Sequence, residues 1–130
     1  MIFRRGNNQS NCSADSLYME ARALWAKVVN LSIYDNEDML RSVVRLLEKA
    51  RQKNANHVPS LVLLSDLLMQ LDADAEAMQV VDALLVLEPD NQTHVRKKIL
   101  IQQLRIDRND SNLHAVREYV EARWTGTTDW

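Results

Sequence analysis

The feature that most constrains this chain is that it repeats itself. Laid over itself at a shift of 34 residues, Val43 falls on Ala77, Val44 on Met78, Arg45 on Gln79, Leu46 on Val80, Leu47 on Val81 and Glu48 on Asp82. Asn54-Ala55-Asn56 then falls on Glu88-Pro89-Asp90. A third segment joins at a shift of 35, where Met78 falls on Leu113, Val81 on Val116, Leu84 on Tyr119 and Leu85 on Val120. A period of this length that holds two helices marks a stack of helical hairpins. One hairpin cannot bury its apolar face alone and about three are needed. A chain of 130 residues has room for three.

Hydrophobic periodicity supplies the helices. From Ala14 to about Ile33, Leu17, Ala21, Leu24, Val28 and Leu31 recur at three- and four-residue steps behind Ser13 as N-cap. A second helix follows from about Glu37, with Met39, Val43, Leu46, Leu47 and Ala50 as its stripe. Pro59 suits the first turn of a third, which ends at Asp72. A fourth starts at about Asp74, a fifth runs from Asn91 to about Asp107, and Ser111 to Trp124 makes the sixth. Pro89 disfavours helical geometry at Glu88 and so stops the fourth, and Asp90 or Asn91 can cap the fifth. With two glycines, Gly6 and Gly126, and two prolines, the chain lacks the turn residues of sandwiches, barrels and phosphate-cradling loops. Residues 1–12 read as a flexible lead-in, 13–124 as one helical domain and 125–130 as a tail.

At these positions the sequence resembles the tetratricopeptide repeat family. The small residue that opens the second helix of a hairpin is Ala77. The apolar positions that close it are Val81 and Leu84, and the acid-proline-acid/amide turn is Glu88-Pro89-Asp90-Asn91. Tyr34 and Leu68 fall on the family's aromatic position in the first and second hairpins. The first repeat has Ala55 in place of the proline, and the third has Ser111 or Asn112 where a small apolar residue is usual. The resemblance implies an all-α fold, a right-handed stack of about three antiparallel helical hairpins. The simpler alternative is a six-helix bundle without solenoid order.

Little in the chain offers catalysis. His57, His94 and His114 lack metal-ligand spacing, and the latter two read as partly exposed or core-edge residues. Cys12, the single cysteine, excludes an internal disulfide and reads as an inert thiol. The acidic runs "DNED" and "DRND" lack the glycine and spaced oxygens of a calcium loop and read as helix caps. No cofactor, no metal and no enzymatic activity are expected. A net charge of −2 and sparse aromatics argue against nucleic acid, and no apolar run spans a bilayer or forms a signal peptide. A cytoplasmic location is the simplest expectation.

Two segments point to binding. The third helix is apolar in every direction, with polar residues Ser60, Ser65, Asp66 and Gln70 scattered around it, so it must be covered all round. In an open stack one face would be bare. The first helix of the chain, a second copy of the protein, or a partner helix could cover it. The one basic cluster is Arg96, Lys97, Lys98 and Arg105. The resemblance implies that Arg96 and Lys97 line a concave groove, with Val62, Leu63 and Asp66 at the matching positions of the second repeat and Met69 beside them. Without further clamp residues, recognition of a peptide C-terminus is not implied. The expectation is an interaction module that holds another protein's helix or peptide in a partly apolar groove. The alternative is a small chaperone of a secretion-system subunit.

Overall fold

The computed structural model describes residues 13–124. The proposed lead-in, with Cys12, and the proposed tail lie outside the described residues. Six helices follow one another: α1 Ala14–Leu31, α2 Glu37–Lys53, α3 Val58–Gln70, α4 Asp74–Leu87, α5 Gln92–Ile106 and α6 Asp110–Trp124. Among the described residues there is no strand. The fold is all-α.

Four of the six described helices start at a side-chain cap. Ser13 accepts from the Ser16 amide and Asn36 from the Met39 amide, so α1 and α2 begin at side-chain caps. Asn91, rather than Asp90, caps α5, accepting from the Thr93 and His94 amides. Asn109 takes the same role for α6, accepting from Asn112 N at 2.8 Å. The runs containing Asn36 and Asn109 therefore do act as caps.

The ends are sharper than periodicity alone suggests. α1 stops at Leu31, two residues before the expected Ile33. Ser32 sits in the left-handed region at φ 53°, and the Ile33 amide turns back onto the Val28 carbonyl at 3.0 Å. α3 stops at Gln70 in the same way, with Asp72 at φ 64° and Ala73 N on Leu68 O at 2.9 Å. This reversal usually employs glycine, and here serine and aspartate carry it. The middle of the chain thus turns without any glycine.

α1 packs along α2, α3 along α4, and the two pairs meet through α2 and α3, with α5 against α4. α2 and α4 bury equivalent positions at the 34-residue shift: Val43 and Ala77 are fully buried, as are Leu47 and Val81. Arg45 and Gln79, and Glu48 and Asp82, are exposed. Asn54 and Glu88, also equivalent, are the respective C-caps. α6 behaves differently. It packs sparsely on α5 and also reaches back to α3 and α1. Val116 brings it into the main core, which includes Trp25, Leu47, Leu63, Leu67, Leu84 and Ile101.

Two stability outcomes follow from this packing. Ala77→Leu adds three carbons where Ala77 is fully buried between neighbours, and is expected to cost ~1–3 kcal/mol. An unchanged melting temperature would remove Ala77 from the close contact. Ser32→Gly relieves a left-handed serine and is expected to raise stability by ~0.5–1 kcal/mol. A lower melting temperature would mean that Ser32 does not carry the reversal.

Candidate functional site

α3 sets the site. Ser60 to Met69 are buried without interruption, enclosed by α4, α2, α1 and α6. Expected groove residues Val62, Leu63, Asp66 and Met69 therefore lie inside the chain's own core, at 5%, 0%, 0% and 1% exposure. The reason is that α5 and α6 close over them, Lys97 of α5 reaching Asp66 at 2.7 Å and the Val62 carbonyl at 3.2 Å. The first helix of the chain contributes to the enclosure, and the last helix completes it.

α5 is rotated from the expected orientation. His94, Lys97, Ile101 and Leu104 form its buried face, spaced by three and four residues. Lys97 is not a rim charge but a fully buried one. Its ammonium lies 2.7 Å from Asp66 Oδ1, and both side chains are fully buried. Lys97 Nζ also donates to Ser65 Oγ at 2.8 Å and to the Val62 carbonyl at 3.2 Å. The ammonium thus has two hydrogen-bond acceptors and a carboxylate counter-ion, which is the condition for keeping such a charge in a core. The Tyr119 ring of α6 lies 5.9 Å from the same ammonium.

Arg96, next in sequence, is exposed. It lines an open cleft of about 650 Å³ between α5 and α6, with Thr93, Leu100, Ala115, Glu118, Tyr119 and Ala122. Of the six expected groove residues, it alone remains available to a ligand. The cleft combines an apolar floor with one cation and one carboxylate, a surface suited to an amphipathic segment. Lys98 faces the other way and pairs with Asp82 of α4 at 3.0 Å.

The turns at the rim carry polar clasps. Arg108, between α5 and α6, donates to Asp74 at 2.5 Å, to the Met69 carbonyl at 3.4 Å and to Asp72. It ties the α5–α6 turn to the α3–α4 turn, a long-range role hidden in the run read only as caps. His94 is buried, not partly exposed, and its Nε2 lies 2.7 Å from Glu88 Oε1. Asn91 Nδ2 donates to the same oxygen at 3.2 Å, so the Glu88-Pro89-Asp90-Asn91 turn is closed by its own side chains. His114 is exposed beside Glu118.

One cluster has the composition of a hydrolytic triad. His57 Nδ1 lies 2.7 Å from Ser60 Oγ, and Nε2 lies 2.6 Å from Asp15 Oδ1. Its burial runs opposite to what nucleophilic catalysis needs, because the hydroxyl must reach substrate while the carboxylate is shielded. Here Ser60 is fully buried and the Asp15 side chain is 87% exposed. Tyr18 meets the imidazole edge-on at 5.8 Å. The cluster fastens the first turn of α1 to the first turn of α3. Among the described residues, no group of three or more His, Cys, Asp or Glu is placed to hold a metal ion. No described helix is long and apolar enough to cross a membrane.

Comparison with protein-family models, curated proteins and solved structures finds no match for this chain.

The Lys97–Asp66 pair has a measurable signature. Asp66→Leu or Lys97→Met alone leaves one uncompensated buried charge and is expected to destabilise by ~3–5 kcal/mol. The combined Asp66→Leu and Lys97→Met chain is expected to recover most of that loss. Chemical denaturation of the three variants gives the coupling, and additive losses would show that the two charges do not sense each other.

Proposed function

We propose that this chain is a non-enzymatic protein–protein interaction module of tetratricopeptide-repeat-like construction. On this reading α1 with α2 and α3 with α4 are successive antiparallel hairpins of a right-handed stack, α5 opens a third, and α6 turns back across the inner face. The odd-numbered helices are its inner face, and that face holds a helical segment of another protein. The matching burial of α2 and α4 at a 34-residue shift supports the repeat.

The observation that carries the binding role is the placement of α6. It packs against α5, α3 and α1, which are the three odd-numbered helices. A face that accepts one helix across its width has the shape and apolarity to accept another. The Arg96 cleft extends that face with a cation at its rim, where charge steers encounter more than it adds affinity. The partner segment is then amphipathic, with an apolar stripe and acidic residues toward Arg96.

The test is site-specific photocrosslinking of the full chain in its native host. A photoreactive residue at Leu100, in the cleft, is expected to capture a partner, and one at Glu76, on the exposed side of α4, is not. Capture from Glu76 with none from Leu100 would assign binding to the opposite face.

A further inference from the structure

We infer that residues 125–130, Thr-Gly-Thr-Thr-Asp-Trp, fold back into the cleft between α5 and α6 and compete there with the partner segment. The inference rests on the binding reading above and adds how that site is regulated.

The cleft supplies the receptor. About 650 Å³ in volume, it is lined by Leu100, Ala115, Tyr119 and Ala122, with Arg96 and Glu118 as its charged groups. Glu118 lies 3.5 Å from His114, and no described carboxylate pairs with the exposed Arg96. The cleft therefore offers an apolar floor, an aromatic ring and one unpaired cation. What fits it is a short segment with an acid beside a large apolar side chain. Asp129-Trp130 is that pair, and Asp129 is the one charged residue of the segment. A tryptophan laid on Leu100 and Tyr119 removes apolar area from water, which is the larger contribution, and a carboxylate beside Arg96 sets its orientation.

Connection and reach select this occupant. Ala122 lines the cleft and α6 ends at Trp124, so the segment starts within one helical turn of the cleft wall. α3 ends at Gln70 and reverses at Asp72, which sits in the left-handed region. Gly126 stands at the same offset from Trp124, and glycine takes that conformation without strain. Beyond such a reversal, residues 127–130 span roughly 13 Å when extended. The helical rise that separates position 126 from Glu118 is about 12 Å. Trp130 thus returns to the level of Glu118 and Tyr119. The lead-in, with Arg4 and Arg5, would set two more cations beside Arg96. The same segment of a second copy has no tether, and a short tether holds its ligand at an effective concentration of about a millimolar, above that of the protein in dilute solution.

The test is the fluorescence of the full chain labelled with bimane, which tryptophan quenches on contact. The label is carried at the cleft residue Thr93 as Thr93→Cys, in a Cys12→Ser background. Trp130→Phe is expected to raise the emission about twofold or more, the gain that follows when the segment occupies the cleft at least half the time. Trp25 and Trp124 are common to both chains and cancel. Asp129→Lys and Arg96→Glu are each expected to give part of that rise, and the two together to reverse it, with circular dichroism as the control for folding. Equal emission from the Trp130→Phe and parent chains overturns the inference and leaves the Leu100 crosslink to judge the binding reading separately. Quenching that weakens on dilution assigns the segment of a second copy and overturns the inference as stated. Quenching that survives both single charge reversals puts Trp130 against another surface and overturns it too. Quenching with no capture from Leu100 keeps the segment in the cleft and overturns the partner instead.

Discussion

A helix buried on every side must be enclosed from every side, and this requirement on α3 organises the rest of the chain. Ser60 through Met69 touch no solvent to speak of. α4 and α2 cover two directions, α1 a third, and α5 and α6 the rest. A continuous run of Leu, Val and Met cannot choose among rotations by hydrophobicity alone, because every rotation buries about the same area. The polar interruptions make the choice. Ser65 and Asp66 turn toward α5, and of three consecutive cations only Lys97 reaches them. A rotation of α5 by one residue would bring Arg96 or Lys98 to Asp66 and expose Ile101. The buried pair therefore fixes how α5 docks, and the docking of α5 decides where α6 begins.

Much of this was legible locally. Caps at Ser13, Asn36 and Asn91, the stop at Pro89 and the all-round apolarity of α3 are short-range facts, and each element they imply is present. The two shortened helices reflect Ser32 and Asp72 in the left-handed region, which composition does not announce when glycine is absent. The misplacement of Lys97 has a different cause. Charge was read as exposure, although His94, Lys97, Ile101 and Leu104 share one face and Asp66 sits in a helix with no wet side. Two opposite charges on two buried faces were the available signal. The seat of α6 had no local signal, since it depends on contacts with α1 and α3 roughly 45–90 residues earlier, and such long-range pairings are not written in any window of sequence.

The polar contacts outside the core divide by where they act. Ser60–His57–Asp15 joins α1 to α3, Glu88–His94 joins α4 to α5, and Arg108 joins the turn after α5 to the turn after α3. Each ties the start or end of one helix to another, and together they hold α1 to α5 at fixed offsets. A histidine pinned between a buried hydroxyl and an exposed carboxylate serves this purpose well. It satisfies the buried Ser60 and directs the second ring nitrogen outward, where no substrate-accessible nucleophile results.

α6 stands apart from that arrangement. Among its contacts, Arg117 lies over the Tyr34 ring and donates to Gln70, and the Tyr119 ring lies under the Lys97 ammonium. Its inner contact is Val116. The surface beneath α6 includes Gln70, Arg96 and the ammonium of Lys97, whose charge is neutralised by Asp66. The pair is complete within α3 and α5 and does not depend on α6 for its counter-ion. That separation matters physically. A site whose cover also supplied the counter-ion could open only at the cost of several kcal/mol. Here the counter-ion belongs to α3, so the charge of Lys97 is balanced by the helix that α5 docks on, whatever lies over it.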